Sequence, residues 1–188
     1  MEYEMIVMGM SAGGLQALST LLEKLPSDYP IPIVVVQHRT KDPGYLLEEV
    51  LQWKCRIRIK QADEKEQIKS NTVYLAPPDY HLLIEKDRTF SLSYDPPVRF
   101  SRPSIDVLFE SAANVFGDKA VGVILTGAND DGADGIRTIK KCGGLTIAQN
   151  PDDALFPYMA QASIKTESVQ HVWPLATIQN FLLKLVTK

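Results

Sequence analysis

Met5-Ile6-Val7-Met8-Gly9-Met10-Ser11-Ala12-Gly13-Gly14-Leu15 is the stretch whose reading decides the fold. An apolar run of strand length breaks into a glycine-rich turn and resumes with leucines at helical spacing. That is the opening strand, turn and helix of an α/β domain. Gly9-x-Ser11-x-Gly13 has the form of a nucleophile elbow, in which small neighbours let a serine sit on a sharp turn with its hydroxyl exposed. Gly9-x-Ser11-x-x-Gly14 also approaches the dinucleotide fingerprint, but Ser11 stands where a glycine would admit the pyrophosphate. The ribose-binding acid expected about 20 residues further on is missing as well, because the second strand runs into Gln37-His38. A tight turn without chemistry is the third reading.

Working outward, Leu15, Leu18, Leu21, Leu22 and Leu25 form one stripe that stops before Pro26, a first helix with a buried face. Ile33-Val34-Val35-Val36 is β-branched without polar alternation, as a central parallel strand covered on both faces requires. The segment from Gly44 to Trp53 reads as a second amphipathic helix, and Cys55 to Lys60 alternates as a half-exposed edge strand. Thr72 to Ala76 is a strand stopped by Pro77-Pro78. His81 to Glu85 and Thr89 to Tyr94 form an antiparallel hairpin appended to the sheet. Ser104 is an N-cap for a helix ending near Gly117. Ala120 to Leu125 is another buried strand, and it enters a second glycine-rich turn, Thr126-Gly127-Ala128-Asn129-Asp130-Asp131-Gly132. A helix from Ala133 to Lys141, a strand from Leu145 to Gln149, a helix around Met159 to Ile164, a strand from Ser168 to Val172 and a helix from Leu175 to Leu185 complete the chain. This alternation implies a doubly wound, mainly parallel α/β sheet.

With 188 residues, 45% of them hydrophobic and 23% charged, the chain has the composition of one ordinary globular domain, residues 1–188. A formal charge of −3 supplies no general basic field for nucleic acid or an anionic membrane. Cys55 and Cys142 stand far apart without metal-ligand spacing, so neither zinc nor a disulfide framework is indicated. The first residues are acidic where a signal peptide would be basic, and no apolar run reaches the ~18 residues of a membrane span. A cytoplasmic protein without cofactor or metal is expected.

Ligands of open α/β sheets bind outside the carboxyl ends of the strands. Ser11, His38 and the Asp130/Asp131 pair each follow a buried parallel strand, which places them on one edge. Serine, histidine and carboxylate are the parts of a nucleophilic triad: the imidazole takes the hydroxyl proton, and the acid fixes its tautomer and stabilises imidazolium. Each residue also has a structural alternative. His38 could be satisfied by backbone, and Asp131 could cap the following helix while Asp130 and Asp134 complement its dipole. His81 and His171, in or beside strands, read as structural. The order Ser, His, Asp differs from the Ser, Asp, His order of α/β-hydrolases.

Several stretches together resemble the catalytic domain of the chemotaxis-type protein-glutamate methylesterases, the CheB-like proteins. They include Gly9 to Gly14, Val34-Val35-Val36-Gln37-His38, Tyr74 to Pro77, Arg102 to Phe109, Ala120 to Gly127, Asp131-Gly132-Ala133 and Thr146 to Asn150, in the family's order over nearly the whole chain. The resemblance implies a three-layer α/β/α sandwich on about seven strands. It marks Ser11 as nucleophile, His38 as base and Asp131, directly before Gly132-Ala133, as acid. It further implies hydrolysis of glutamate methyl esters on chemoreceptor-type proteins, with glutamine deamidation in some members. The family often has Thr where Ala12 stands and Met where Ala128 stands. Its receiver domain is not expected here, because Ser11 comes so early; a separate receiver domain is then the candidate regulator.

On that reading, backbone N–H groups of Ala12 and of the Ala128 turn would hold the oxyanion. Arg102 would help dock a receptor helix, unless it is a salt-bridged loop anchor. The rival from another class is a catalytically silent scaffold module of a signalling system, using the same crevice for a partner.

Overall fold

A computed structural model describes residues 3–39 and 47–186 of the chain. In order, the elements are β1 (Met5–Met10), α1 (Gly14–Leu22), β2 (Ile33–Gln37), α2 (Leu47–Gln52), β3 (Arg58–Gln61), β4 (Thr72–Leu75), β5 (His81–Ile84) and β6 (Phe90–Ser93). They continue with α3 (Ile105–Phe116), β7 (Ala120–Ile124), α4 (Ala133–Lys141), β8 (Leu145–Gln149), α5 (Tyr158–Ile164), β9 (His171–Trp173) and α6 (Leu175–Lys184). The part of the second helix expected from Gly44 to Leu46 lies outside the described residues.

Seven strands form one parallel sheet in the order β3-β4-β2-β1-β7-β8-β9. β1 sits at its centre and is buried along its whole length. Its side chains divide by the two-residue period of a strand: Ile6, Met8 and Met10 enter one core, Met5 and Val7 the other. The first core is closed by Leu18, Leu21 and Leu22 of α1, Leu51 of α2, and Ile178 and Leu182 of α6. Each fully buried leucine there contributes on the order of 2 kcal/mol. The second core is closed by α3 and α4 through Leu108, Phe109, Ala112, Ile136 and Ile139, with Met159 of α5. These are the three layers expected. β3 lies at one edge of the sheet, as its half-exposed alternation indicates.

Two expectations shift. The hairpin β5–β6 is a separate two-stranded antiparallel sheet. Pro77-Pro78 removes the N–H groups that would extend pairing past β4, and the hairpin turns onto α3, where the Ile84 N–H donates to Ser111 Oγ at 3.1 Å. β9 begins at His171 rather than Ser168, because the Ser168 carbonyl and the Gln170 N–H are taken by the Thr146 hydroxyl at 2.6 and 3.0 Å. Chain order reverses around β1: α1 leads to β2 on one side, while β7 lies on the other. The carboxyl ends of β1, β2 and β7 therefore border the switch point of the sheet, where such folds keep their sites.

Candidate active site

Ser11 follows β1 directly. Its N–H donates to the Thr126 carbonyl at 3.0 Å, and the His38 N–H donates to the Met10 carbonyl at 3.0 Å. Parallel register, Met10 opposite Gln37, thus brings Ser11 and His38 to adjacent positions beyond the sheet. The turn differs from a strained elbow. Ser11 is not left-handed; Gly13 takes that conformation, with φ 79° and ψ −4°. The Gly14 N–H closes the turn onto the Ser11 carbonyl at 2.9 Å, so Gly13 occupies the position of a type II turn that favours glycine. Gly9 has a different reason: a β-carbon there would overlap Ile105, the first residue of α3.

Two side chains fix the turn. Gln37 Nε2 donates to the carbonyls of Ser11 and His38, at 2.8 and 2.9 Å. Thr126, almost fully buried, donates through Oγ1 to the Ala12 carbonyl at 2.9 Å and accepts the Phe156 N–H at 2.9 Å. No backbone acceptor among the described residues takes the N–H of Ala12 or of Ala128. Both therefore remain free to donate at the amino end of α1 and beyond β7, a position suited to an anion.

Asp131 is fully buried and accepts four hydrogen bonds: His38 Nε2 (2.8 Å) and the Ile105 N–H (2.7 Å) on Oδ2, Ser104 Oγ (2.8 Å) and the Asp106 N–H (3.1 Å) on Oδ1. Burial alone would raise its pKa, but the bonds from His38, Ile105 and Asp106 outweigh that and hold the carboxyl below its ordinary value. Asp131 is therefore an ionised acceptor, and His38 meets it with a protonated Nε2.

The same carboxylate explains how the helices are placed. Asp131 caps the amino end of α3, while Asp106 of α3 accepts the N–H groups of Gly132 (2.9 Å) and Gly135 (2.7 Å) at the amino end of α4. Asp106 of α3 thus caps α4, while Asp131, in the turn just before α4, caps α3. Ser104 stands at the N-cap position of α3 as expected, but its hydroxyl donates to Asp131 instead of accepting a bond from its own helix, and Asp131 serves α3 rather than α4. Asp106 has its pKa raised to about 6, chiefly by burial, with Asp131 adding to the rise and the Gly135 N–H and Arg99 opposing it.

On the other side of the imidazole, Asn129 Nδ2 lies 3.3 Å from His38 Nδ1 and 3.3 Å from Ser101 Oγ. The Ser11 hydroxyl makes no hydrogen bond among the described residues. The structure thus joins His38 to Asp131 and sets Ser11 beside them without a Ser11–His38 bond. Ser11 borders an open cavity of about 580 Å³ between α1 and α2, whereas His38 lines a hollow of about 290 Å³ with Phe100 and Arg102.

Arg102 is engaged internally. It pairs with Asp79 at 2.8 Å, donates to the Tyr94 and Asp95 carbonyls, and stacks 3.8 Å above the Tyr94 ring. That is the loop-anchor alternative, with one flank left facing the His38 hollow. Asp130 and Asp134 bind Arg99 rather than serving the α4 dipole alone. Arg99 and Phe100 are both left-handed at the tip of a turn closed by Val98 and Ser101, and this turn presents Phe100 fully to solvent beside His38.

The family model for CheB methylesterase matches residues 6–182, a span that includes Ser11, His38, Asp131 and every strand except the first residue of β1. The chain belongs to the CheB methylesterase family. A CheB-family relative from Leptospira interrogans, described as a putative protein-glutamate methylesterase/protein-glutamine glutaminase, is 51% identical over 185 residues, 98% of this chain and 96% of that protein. A protein-glutamate methylesterase/protein-glutamine glutaminase of Carboxydothermus hydrogenoformans is 38% identical and shares 93% of this chain but 53% of its own length. The crystal structure of the Thermotoga maritima CheB methylesterase catalytic domain superposes with a TM-score of 0.91 at 31% identity, covering 99% of this chain and 100% of that one.

Within this CheB fold, motif reading overlooks several supporting groups. Asn129, Asp106, Arg99 and Thr126 act across the fold, at separations from 7 to 114 residues. His81 accepts the Ser104 N–H on Nδ1 at 3.1 Å and faces the Pro96 carbonyl through Nε2 at 3.2 Å, so both ring nitrogens are used structurally. His171, on the edge strand β9, stacks on Trp173. No helix among the described residues is long and apolar enough to cross a membrane.

Proposed function

We propose that the protein is a carboxyl-ester hydrolase that removes methyl groups from glutamate methyl esters on a chemoreceptor-type signalling protein, and that it deamidates glutamine side chains by the same route. The observation that carries this reading is the His38–Asp131 bond at the strand end beside Ser11. Ser11 Oγ attacks the side-chain carbonyl as His38 Nδ1 takes its proton. Asp131, bonded to Nε2, stabilises the imidazolium. The tetrahedral oxyanion is held by the N–H groups of Ala12 and Ala128. Imidazolium returns the proton to the departing methoxide, which leaves as methanol, or to the side-chain amide nitrogen of a glutamine, which leaves as ammonia, and water repeats the cycle on the acyl-enzyme. The same Ser-His-Asp set serves ester and amide because both pass through the same kind of intermediate.

Residues 1–188 act in this reading as one catalytic domain in the cytoplasm, with a methylated receptor segment as substrate, Arg102 flanking its path, and a separate receiver domain as the regulatory partner. A serine-reactive fluorophosphonate tests it. The wild-type protein should become labelled at Ser11, Ser11→Ala should not, and His38→Ala should label at least a hundredfold more slowly. A folded wild-type protein that stays unlabelled would favour the silent scaffold instead.

A further inference from the structure

Asn129 occupies the lone pair that the proposed base needs. Its orientation follows from its neighbours. The Asp131 N–H, 3.3 Å away, requires an acceptor and so faces Oδ1, which turns Nδ2 toward Ser101 Oγ and His38 Nδ1, each at 3.3 Å. An amide N–H can only donate, so Nδ1 is an unprotonated acceptor, consistent with Nε2–H pointing at Asp131. The Nδ1 lone pair is directed along one line in the ring plane, so it cannot serve Asn129 and Ser11 together at full strength. In the resting structure it faces Asn129, and the Ser11 hydroxyl has no partner among the described residues.

We propose, building on the Ser11–His38–Asp131 reading above, that Asn129 is a positioning residue that holds His38 Nδ1 in the empty site and yields it to Ser11 as substrate enters. The contact is suited to exchange. At 3.3 Å it is long for a hydrogen bond, and Nδ2 has a second hydrogen already directed at Ser101, so the amide keeps an anchor when it lets the imidazole go. The serine is then activated chiefly in the occupied site. Ser101 belongs to the turn that projects Phe100 over the His38 hollow, so a ligand settling there presses on the residue that anchors the amide.

Two variants separate this from a structural role. Asn129→Ala removes the competing donor, and the rate of fluorophosphonate labelling at Ser11 should rise about threefold, the worth of one weak hydrogen bond. Asn129→Asp sets an acceptor against Nδ1, placing the ring between two carboxylates, and labelling should fall at least tenfold. Imidazole ¹⁵N NMR reads the contact without relying on Ser11. In the wild type, Nδ1 should show an unprotonated, hydrogen-bonded signal that shifts in Asn129→Ala and becomes protonated in Asn129→Asp. A protonated Nδ1 in the wild type, or an Nδ1 signal unmoved in both variants, overturns the inference, and so, where wild-type Ser11 is labelled, does Asn129→Ala labelling no faster than wild type. An inert Ser11 in every protein, with the NMR changes present, would instead refute the triad and leave the Asn129–His38 contact standing.

Discussion

Replacing Asp131 with asparagine changes one atom of the most heavily bonded side chain in the site. The carboxylate accepts two donors on each oxygen, so an amide NH2 must face a donor whichever way it turns. Pointed at His38, it confronts the Ile105 N–H and forces the imidazole proton onto Nδ1, which abolishes the base. Pointed at Ser104, it strands only the Asp106 N–H, because the serine hydroxyl can rotate and accept. The second arrangement costs less: about 1 to 3 kcal/mol for one orphaned N–H, and about 0.5 to 1 kcal/mol for the negative charge lost at the amino end of α3. Unfolding free energy should therefore fall by about 2 to 4 kcal/mol at pH 7 in urea titrations. Turnover should fall by about 10³- to 10⁴-fold, since imidazolium loses its ionised partner.

The pH dependence has a definite sign. The folded Asp131 carboxyl lies below its ordinary value, so its stabilisation is complete above the unfolded carboxylate range near pH 4 and is lost as pH falls through the folded value. The gap between wild type and Asp131→Asn should be full at pH 7 and shrink on acidification. A variant as stable and as active as wild type at pH 7, or a gap that widens in acid, would refute this account of the carboxylate.

Asp106 should behave oppositely. With its carboxyl raised to about 6, the folded state takes up a proton before the unfolded chain does, so this group favours folding as pH drops from about 6 to 4, by about 2 to 3 kcal/mol. Comparing urea midpoints of wild type and Asp106→Asn at pH 7 and 4.5 isolates that slope, and a parallel response of the two proteins would contradict it. Gly9→Ala should push Ile105 and the amino end of α3 away from β1, lowering stability by about 1 to 3 kcal/mol and turnover with it; thermal melts and methanol release read both. Thr126→Val keeps the shape of the side chain but strands the Ala12 carbonyl and the Phe156 N–H. It should cost about 1 to 2 kcal/mol, and more in activity than in stability, because the Ala12 N–H loses its alignment.

The fold was legible where burial acts along the chain. β-branched runs without polar alternation mark β2 as central, and the rule of strand carboxyl ends puts Ser11, His38 and the Asp130/Asp131 pair on one edge, with Asp131 singled out only by the family resemblance. What escaped were interactions whose partners lie far apart in sequence. The N-cap preference is a local rule, so it assigns Ser104 to α3 and Asp131 to α4. In the folded chain α3 and α4 begin side by side: Ser104 keeps the N-cap position of α3, but the side-chain acceptors are Asp131 for α3 and Asp106 for α4. The glycine-serine pattern of the first turn marks a serine on a sharp turn, but not that Gly13 is the residue that carries the left-handed conformation. Asn129 carried no signal, because an asparagine in a Gly-Asp turn is already explained by turn preference.

The central claim is that Ser11 is the nucleophile of a methylesterase, and methanol release from a methylated receptor fragment tests it most directly. Wild-type protein should release methanol continuously, while folded Ser11→Ala should release none above the uncatalysed background. Full release by Ser11→Ala would contradict the claim, and so would none from a wild-type protein whose folding has been verified.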